Sequence, residues 1–145
     1  MYIYMSDYNT LKAIGDKYEW ESQRRIIELN AVKIINVQND DNYQYTHYDF
    51  KTSDGLTYEV KADLMSSKTN HFFIEYMGNA KPSGILITQA DKHILISDNK
   101  YYLIDTSQLK NLISSRKYRT VSTRDKSTHG YLFPVDDVIE LATRI

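Results

Sequence analysis

The stretch that most constrains this chain runs from Tyr45 to Leu64. Tyr45 to Lys51 and Thr57 to Leu64 are rich in aromatic and β-branched residues, with Ser53-Asp54-Gly55 between them, which is the pattern of a β-hairpin. Residues i and i+2 of a strand share a face, so Glu59 and Lys61 point the same way. The direction of Asp49 depends on the turn. A two-residue turn at Asp54-Gly55 sets Asp49 opposite Val60, on the other face. A three-residue loop, Ser53-Asp54-Gly55, sets it opposite Glu59. Such loops join a type I turn to a glycine in the left-handed region, a G1 bulge, and Gly55 stands where that glycine is needed. The three-residue loop is therefore predicted, because it gathers Asp49, Glu59 and Lys61 on one face.

Gathering them has a cost, because two carboxylates about 5 Å apart repel each other. A divalent cation removes that repulsion, and hard oxygen ligands completed by waters suit Mg²⁺ or Mn²⁺. A lysine beside such an ion holds or activates a water, or steadies charge building on a phosphate. The plain alternative is an amphipathic hairpin with three solvated charges, since an Asp followed by Glu-x-Lys is a loose pattern. The stretch also resembles the PD-(D/E)XK nuclease superfamily, in its small phage-type or junction-resolving forms. Asp49 matches the superfamily's aspartate and Glu59-Val60-Lys61 its E-x-K, with Tyr48 in the place of the usual proline.

The resemblance implies an α/β (α+β) single domain over residues 1–145, with a central mixed β-sheet flanked by helices in a restriction-endonuclease-like core. It implies a divalent-metal-dependent endonuclease. Asp49 and Glu59 would hold Mg²⁺ or Mn²⁺, with the carbonyl of Val60, and Lys61 would orient or deprotonate the attacking water. Gly15-Asp16-Lys17-Tyr18-Glu19 fits a first-helix glutamate four residues after a glycine, which adds Glu19 to the catalytic set; Glu21 competes for that role. Some members carry an I-E-Y-like strand after E-x-K, and Glu75 in Phe72-Phe73-Ile74-Glu75-Tyr76 occupies that place.

Composition sets the outer bounds. A hydrophobic fraction of 41% and a charged fraction of 26% suit a chain that buries a core in water. No apolar run approaches the roughly 18 residues that span a membrane, and Met1 to Asp7 lack a basic-then-apolar leader pattern. The sequence has no cysteine, which excludes disulfides and thiolate zinc sites and fits a cytoplasmic setting. The histidines at 47, 71, 93 and 129 have no short ligand spacing and read as surface or hydrogen-bonded residues. A net charge of −1 argues against a protein that coats nucleic acid indiscriminately, which is usually basic, but not against a nuclease whose carboxylates await a cation.

Along the chain, Leu11, Ile14, Tyr18, Ser22, Ile26 and Leu29 predict a helix from about Thr10 to Leu29, with a break at Gly15-Asp16. Ala31 to Val37 reads as a strand, Gln38 to Asn42 as a polar turn, and Met65 to Asn70 as a polar loop. Phe72 to Tyr76 reads as a strand. Gly78 to Gly84 reads as a flexible loop in which Lys81 and Ser83 meet a phosphate, and it lacks the Walker order. A short helix is expected within Ile85 to Lys92. Strands follow at His93–Ser97 and Tyr101–Ile104, then a helix capped by Asp105-Thr106-Ser107. Ser115 to Thr128 is basic, and Arg116, Lys117, Arg119, Arg124 and Lys126 are candidate phosphate contacts. Gly130 to Val135 closes the sheet, with Pro134 suggesting an edge, and a helix at Asp136–Thr143 buries Val138, Ile139 and Leu141.

The expected partner is nucleic acid, DNA rather than RNA, with no membrane. A homodimer is possible through Trp20, which lies on the helix face opposite Tyr18. The rivals are a non-catalytic nucleic-acid-binding or scaffold protein of the same fold, an RNA endonuclease, and a structure-selective junction nuclease.

Overall fold

The computed structural model describes residues 8–38 and 47–145. The first helix, α1 (Tyr8–Asn30), runs unbroken through Gly15. A mid-helix glycine costs only about 1 kcal/mol, and the Lys12–Asp16 ion pair at 3.2 Å bridges the expected break. Ser22 and Ile26 are fully buried, whereas Leu29 is 52% exposed. The apolar cluster beneath the helix ends at Ile26, so the predicted stripe stops one turn early.

Three antiparallel strands follow: β1 (Ile34–Val37), β2 (Phe50–Thr52) and β3 (Thr57–Ala62). The predicted strands at Tyr45–Lys51 and Ala31–Val37 are both shorter than expected, and residues 1–7, 39–46 and the turn expected within them lie outside the described residues. The chain then makes a single helical turn, α2 (Ser66–Thr69), where a polar loop was expected. The Ser66 hydroxyl, buried, bonds to Ser97 Oγ at 2.6 Å and folds that segment against the sheet. Next come β4 (His71–Gly78) and β5 (Lys81–Pro82), joined by Asn79 and Ala80, both at positive φ. The expected flexible loop is thus a tight two-residue hairpin.

Only a 3₁₀ turn at Gly84–Leu86 stands where a longer helix was expected. β6 (Lys92–Ser97) then pairs parallel to β3 and antiparallel to β7 (Lys100–Asp105). Helix α3 (Thr106–Ser115) begins with a capping box, in which the Asp105 side chain accepts from Gln108 N–H and the Gln108 side chain from Asp105 N–H. Asp105→Ala is expected to cost about 1–2 kcal/mol, read as a fall in thermal midpoint. The basic stretch contains β8 (Thr120–Ser122), paired with β9 (Thr128–Pro134). The chain ends in α4 (Val135–Leu141) and β10 (Thr143–Arg144).

Among the described residues the strands form two sheets, ordered β1-β2-β3-β6-β7-β10 and β5-β4-β9-β8. β9 is internal, so Pro134 does not mark an edge. It is the last residue of the strand and caps α4, where its missing N–H is harmless. The fold is mixed α/β, as expected. One face of the large sheet packs on α1 through Ile26, Phe50, Tyr58, Ile94 and Ile96. The other face packs Leu95, Tyr102 and Ile104 against Phe72, Ile74 and Phe133 of the small sheet, with α3 and α4. β6 is buried on both faces, hence its apolar run Ile94-Leu95-Ile96. Val135 and Val138 of α4, and Ala142 just after it, face this core, which leaves Ile139 and Leu141 exposed rather than buried.

Candidate active site

The turn decides the site. Phe50 pairs with Tyr58 and Lys51 with Thr57, and Gly55 closes the three-residue loop at φ +88°. One step further, Asp49 N–H donates to the Tyr58 carbonyl at 2.8 Å, while the Asp49 carbonyl accepts from Gln38 N–H at 2.8 Å. The main-chain bonding therefore extends to Asp49, one residue beyond the last paired position. Its Oδ2 accepts the Val60 N–H at 2.7 Å, fixing the carboxylate against β3. Val60 thus has its main chain beside that carboxylate and its side chain in the core under α1.

Glu59 is 3% exposed, and its Oε1 lies 3.4 Å from Lys61 Nζ. The Lys61 ammonium is pushed up, chiefly by the charge of Glu59 and further by Asp49 and Glu75, against the pull of burial. Burial and the Glu59 charge push the Asp49 carboxyl well above the usual carboxylate range, and Glu19 adds to the push; the Val60 N–H and Lys61 oppose it. Asp49, Glu59 and Lys61 thus form one charge-coupled group, to which Glu19 is linked through Asp49 and Glu75 through Lys61. Glu21 does not join it. Arg24, at 2.6 Å, and Arg25, at 3.0 Å, hold Glu21 as a carboxylate with its pKa lowered to about 2, on the side of Tyr101.

Glu59, Lys61, Glu75, Thr88 and His93 line a cavity of about 10 Å³, room for about one water. His93 and Thr88 escaped the sequence reading. His93 pairs with Glu59 across the parallel β3–β6 ladder, a neighbour visible only once that pairing is known. The imidazole is buried and pulled down to about 3, first by burial and then by the Lys61 charge, so it is neutral at pH 7. Its Nδ1 lies 2.8 Å from Thr106 Oγ1, which fixes the ring.

Gly84 holds the cavity's other wall. It sits at φ +52°, and a Cβ there would stand 2.2 Å from the Glu75 carbonyl oxygen. Gly84→Ala is expected to cost about 2 kcal/mol or more through strain and clash, seen as a lower denaturation midpoint, and to displace Glu75.

The candidate phosphate contacts scatter. Lys81 is exposed on β5, while the Ser83 hydroxyl is buried and turned from solvent. Arg116 pairs with Asp137 of α4 at 2.9 Å, which gives it a structural partner. Lys117, Arg119, Arg124 and Lys126 are exposed around β8 and its turn.

Among the described residues no group of three or more His, Asp or Glu side chains is already gathered as a metal cage. The donor set nevertheless fits a hard divalent ion. Asp49 and Glu59 each raise the electrostatic cost of the other's charge, burial adds to that cost at Asp49, and the raised Asp49 carboxyl marks a shortage of positive charge that a cation would supply. No protein-family model matches this sequence, and no curated protein matches it.

Proposed function

We propose that the protein is a divalent-metal-dependent phosphodiesterase acting on nucleic acid, an endonuclease on DNA rather than RNA, related to the PD-(D/E)XK superfamily. The observation that carries this reading is the Asp49 carboxylate bonded at 2.7 Å to the N–H of Val60, which lies between Glu59 and Lys61 in the chain, with Lys61 Nζ 3.4 Å from Glu59. The order of helix, antiparallel meander and parallel strand supports it. Asp49 and Glu59 would hold Mg²⁺ or Mn²⁺, assisted by the Val60 main chain, with Glu19 and Glu75 contributing charge at the margin. When bound, the ion supplies Lewis acidity and lowers the pKa of water. Lys61 donates from Nζ to a non-bridging oxygen of the scissile phosphate and orients the attacking water. The carboxylates hold it as an ammonium, which favours charge stabilisation over proton abstraction. His93, neutral and anchored by Thr106, packs beside Glu59 and limits its movement.

A cytoplasmic setting and a homodimer through Trp20, which is 63% exposed, belong to the same proposal. Among the described residues no helix is long and apolar enough to cross a membrane. The test presents plasmid DNA and structured RNA side by side with Mg²⁺, Mn²⁺ or chelator, using the wild type and Glu59→Gln. Cleavage that requires the cation and falls about a hundredfold or more in the variant is expected. No cleavage with any cation, or equal cleavage by both proteins, would remove the assignment.

A further inference from the structure

The row of side chains at the centre continues past it. Glu59, Lys61 and Asp63 share one parity at the end of β3, and Glu75, Phe73 and His71 share one along β4. The two rows are tied together: Asp63 Oδ2 accepts the Phe73 N–H at 2.8 Å, and Lys61 senses the charge of Glu75. Glu59, Lys61 and Glu75 line the small cavity already described. Asp63, Phe73 and His71 line a much larger groove of about 750 Å³, which Val121 and Arg124 of the β8–β9 hairpin also line. That volume lies in the range of ligand pockets.

The groove has an aromatic floor, and Arg124 stands at its rim beside Asp125. Phe73 and Leu132 pair across β4 and β9. The tip of the Phe73 ring rests on the main chain at Gly130, where a Cβ would stand 2.6 Å from it. Arg124 lies in no ion pair among the described residues. The neighbouring Asp125 is spent on its own turn, accepting from Thr123 and Ser127.

We propose that this groove takes one unpaired nucleotide, its base against Phe73 and Leu132 and a phosphate against Arg124. This rests on the phosphodiesterase reading and narrows its substrate to a strand unpaired near the scissile bond. Asp63 lies two residues beyond Lys61, about 6.6 Å of strand, so a nucleotide adjacent to the scissile phosphate reaches the groove. A base stacked within a duplex does not.

The test is fluorescence anisotropy on the full chain in chelator, with labelled oligothymidine, oligouridine and a duplex of equal length. The single strand is expected to bind at least tenfold more tightly than the duplex, whichever sugar is preferred. Phe73→Ala and Arg124→Glu should each weaken strand binding about tenfold and leave duplex binding unchanged. Because Phe73→Ala also removes packing on Gly130, Phe73→Trp gives an independent reading: a stacked base quenches its emission, judged against Trp20 in the wild type. Equal affinity for strand and duplex, or strand binding indifferent to both substitutions, overturns the proposal. Strand binding as described without cleavage in any cation would sink the phosphodiesterase reading and leave the groove standing. Cleavage of duplex by a protein that ignores single strands would do the reverse.

Discussion

Lys61→Ala is expected to lower the cleavage rate by about a thousandfold or more while changing DNA affinity by less than about threefold. The asymmetry follows from where the ammonium acts. Charge on the phosphoryl oxygens grows on the way to the transition state, so a donor aimed at them contributes little to ground-state binding. Lys61 suits this role because Glu59, 3.4 Å away, holds it in the charged form, with Asp49 and Glu75 acting in the same sense. Its raised pKa means that the charge persists across the neutral range and is lost only at high pH. Removing it also leaves two carboxylates with less compensation, so the variant should bind Mn²⁺ more tightly than the wild type. A merely unfolded variant would lose cation and DNA binding together. Lys61→Arg keeps the charge but replaces a compact ammonium by a longer planar fork, and should recover only part of the rate. Single-turnover cleavage with a parallel binding titration separates these outcomes; undiminished cleavage by Lys61→Ala would exclude the assigned role.

How much of this centre the sequence discloses depends on how local its causes are. The hairpin is local. Gly55 at positive φ fixes a loop of three, and the loop fixes the register that pairs Phe50 with Tyr58 and Lys51 with Thr57. That chain of reasoning needs no distant contact, and it gives the three-residue loop that the structure has. The capping box at Asp105 and Gln108 is equally local. What stays hidden is set by pairing across long separations. His93 becomes a neighbour of Glu59 only when β6 docks parallel to β3, after a crossover containing α2, β4, β5 and a 3₁₀ turn. Pro134 suggests an edge because a proline breaks a ladder, yet its place at the strand end removes the conflict. Ile139 and Leu141 look like core because they are apolar, but the face of α4 that meets the core is chosen by Val135 and Val138. Glu21 and Glu19 are equivalent by composition; two arginines one helical turn on, Arg24 and Arg25, capture the first.

Asp49→Asn is expected to move stability and activity in opposite directions. In the folded protein the Asp49 carboxyl is raised above its ordinary value of about 4, by burial and then by Glu59. The folded state therefore binds this proton more tightly than the unfolded chain. The resulting stabilisation is present at pH values below the ordinary carboxylate range and is lost as pH rises through the folded value. In chelator, the wild type should become less stable between mildly acidic and mildly alkaline pH. Asparagine removes the charge that causes this loss, and its side-chain oxygen can still accept the Val60 N–H that Asp49 Oδ2 accepts at 2.7 Å. The variant should thus gain about 1–2 kcal/mol at pH 8 without metal, as substitutions that relieve a functional strain commonly do. Mn²⁺ should reverse the ranking, because a cation bound only by the folded wild type stabilises it by mass action and the variant has lost a charged ligand. Cleavage by the variant should fall about a thousandfold. Thermal melts at pH 5 and pH 8, each in chelator and in Mn²⁺, test all of this together. A variant no more stable than the wild type at pH 8 in chelator, beside a wild type whose midpoint ignores Mn²⁺, would mean that Asp49 and Glu59 do not share a cation.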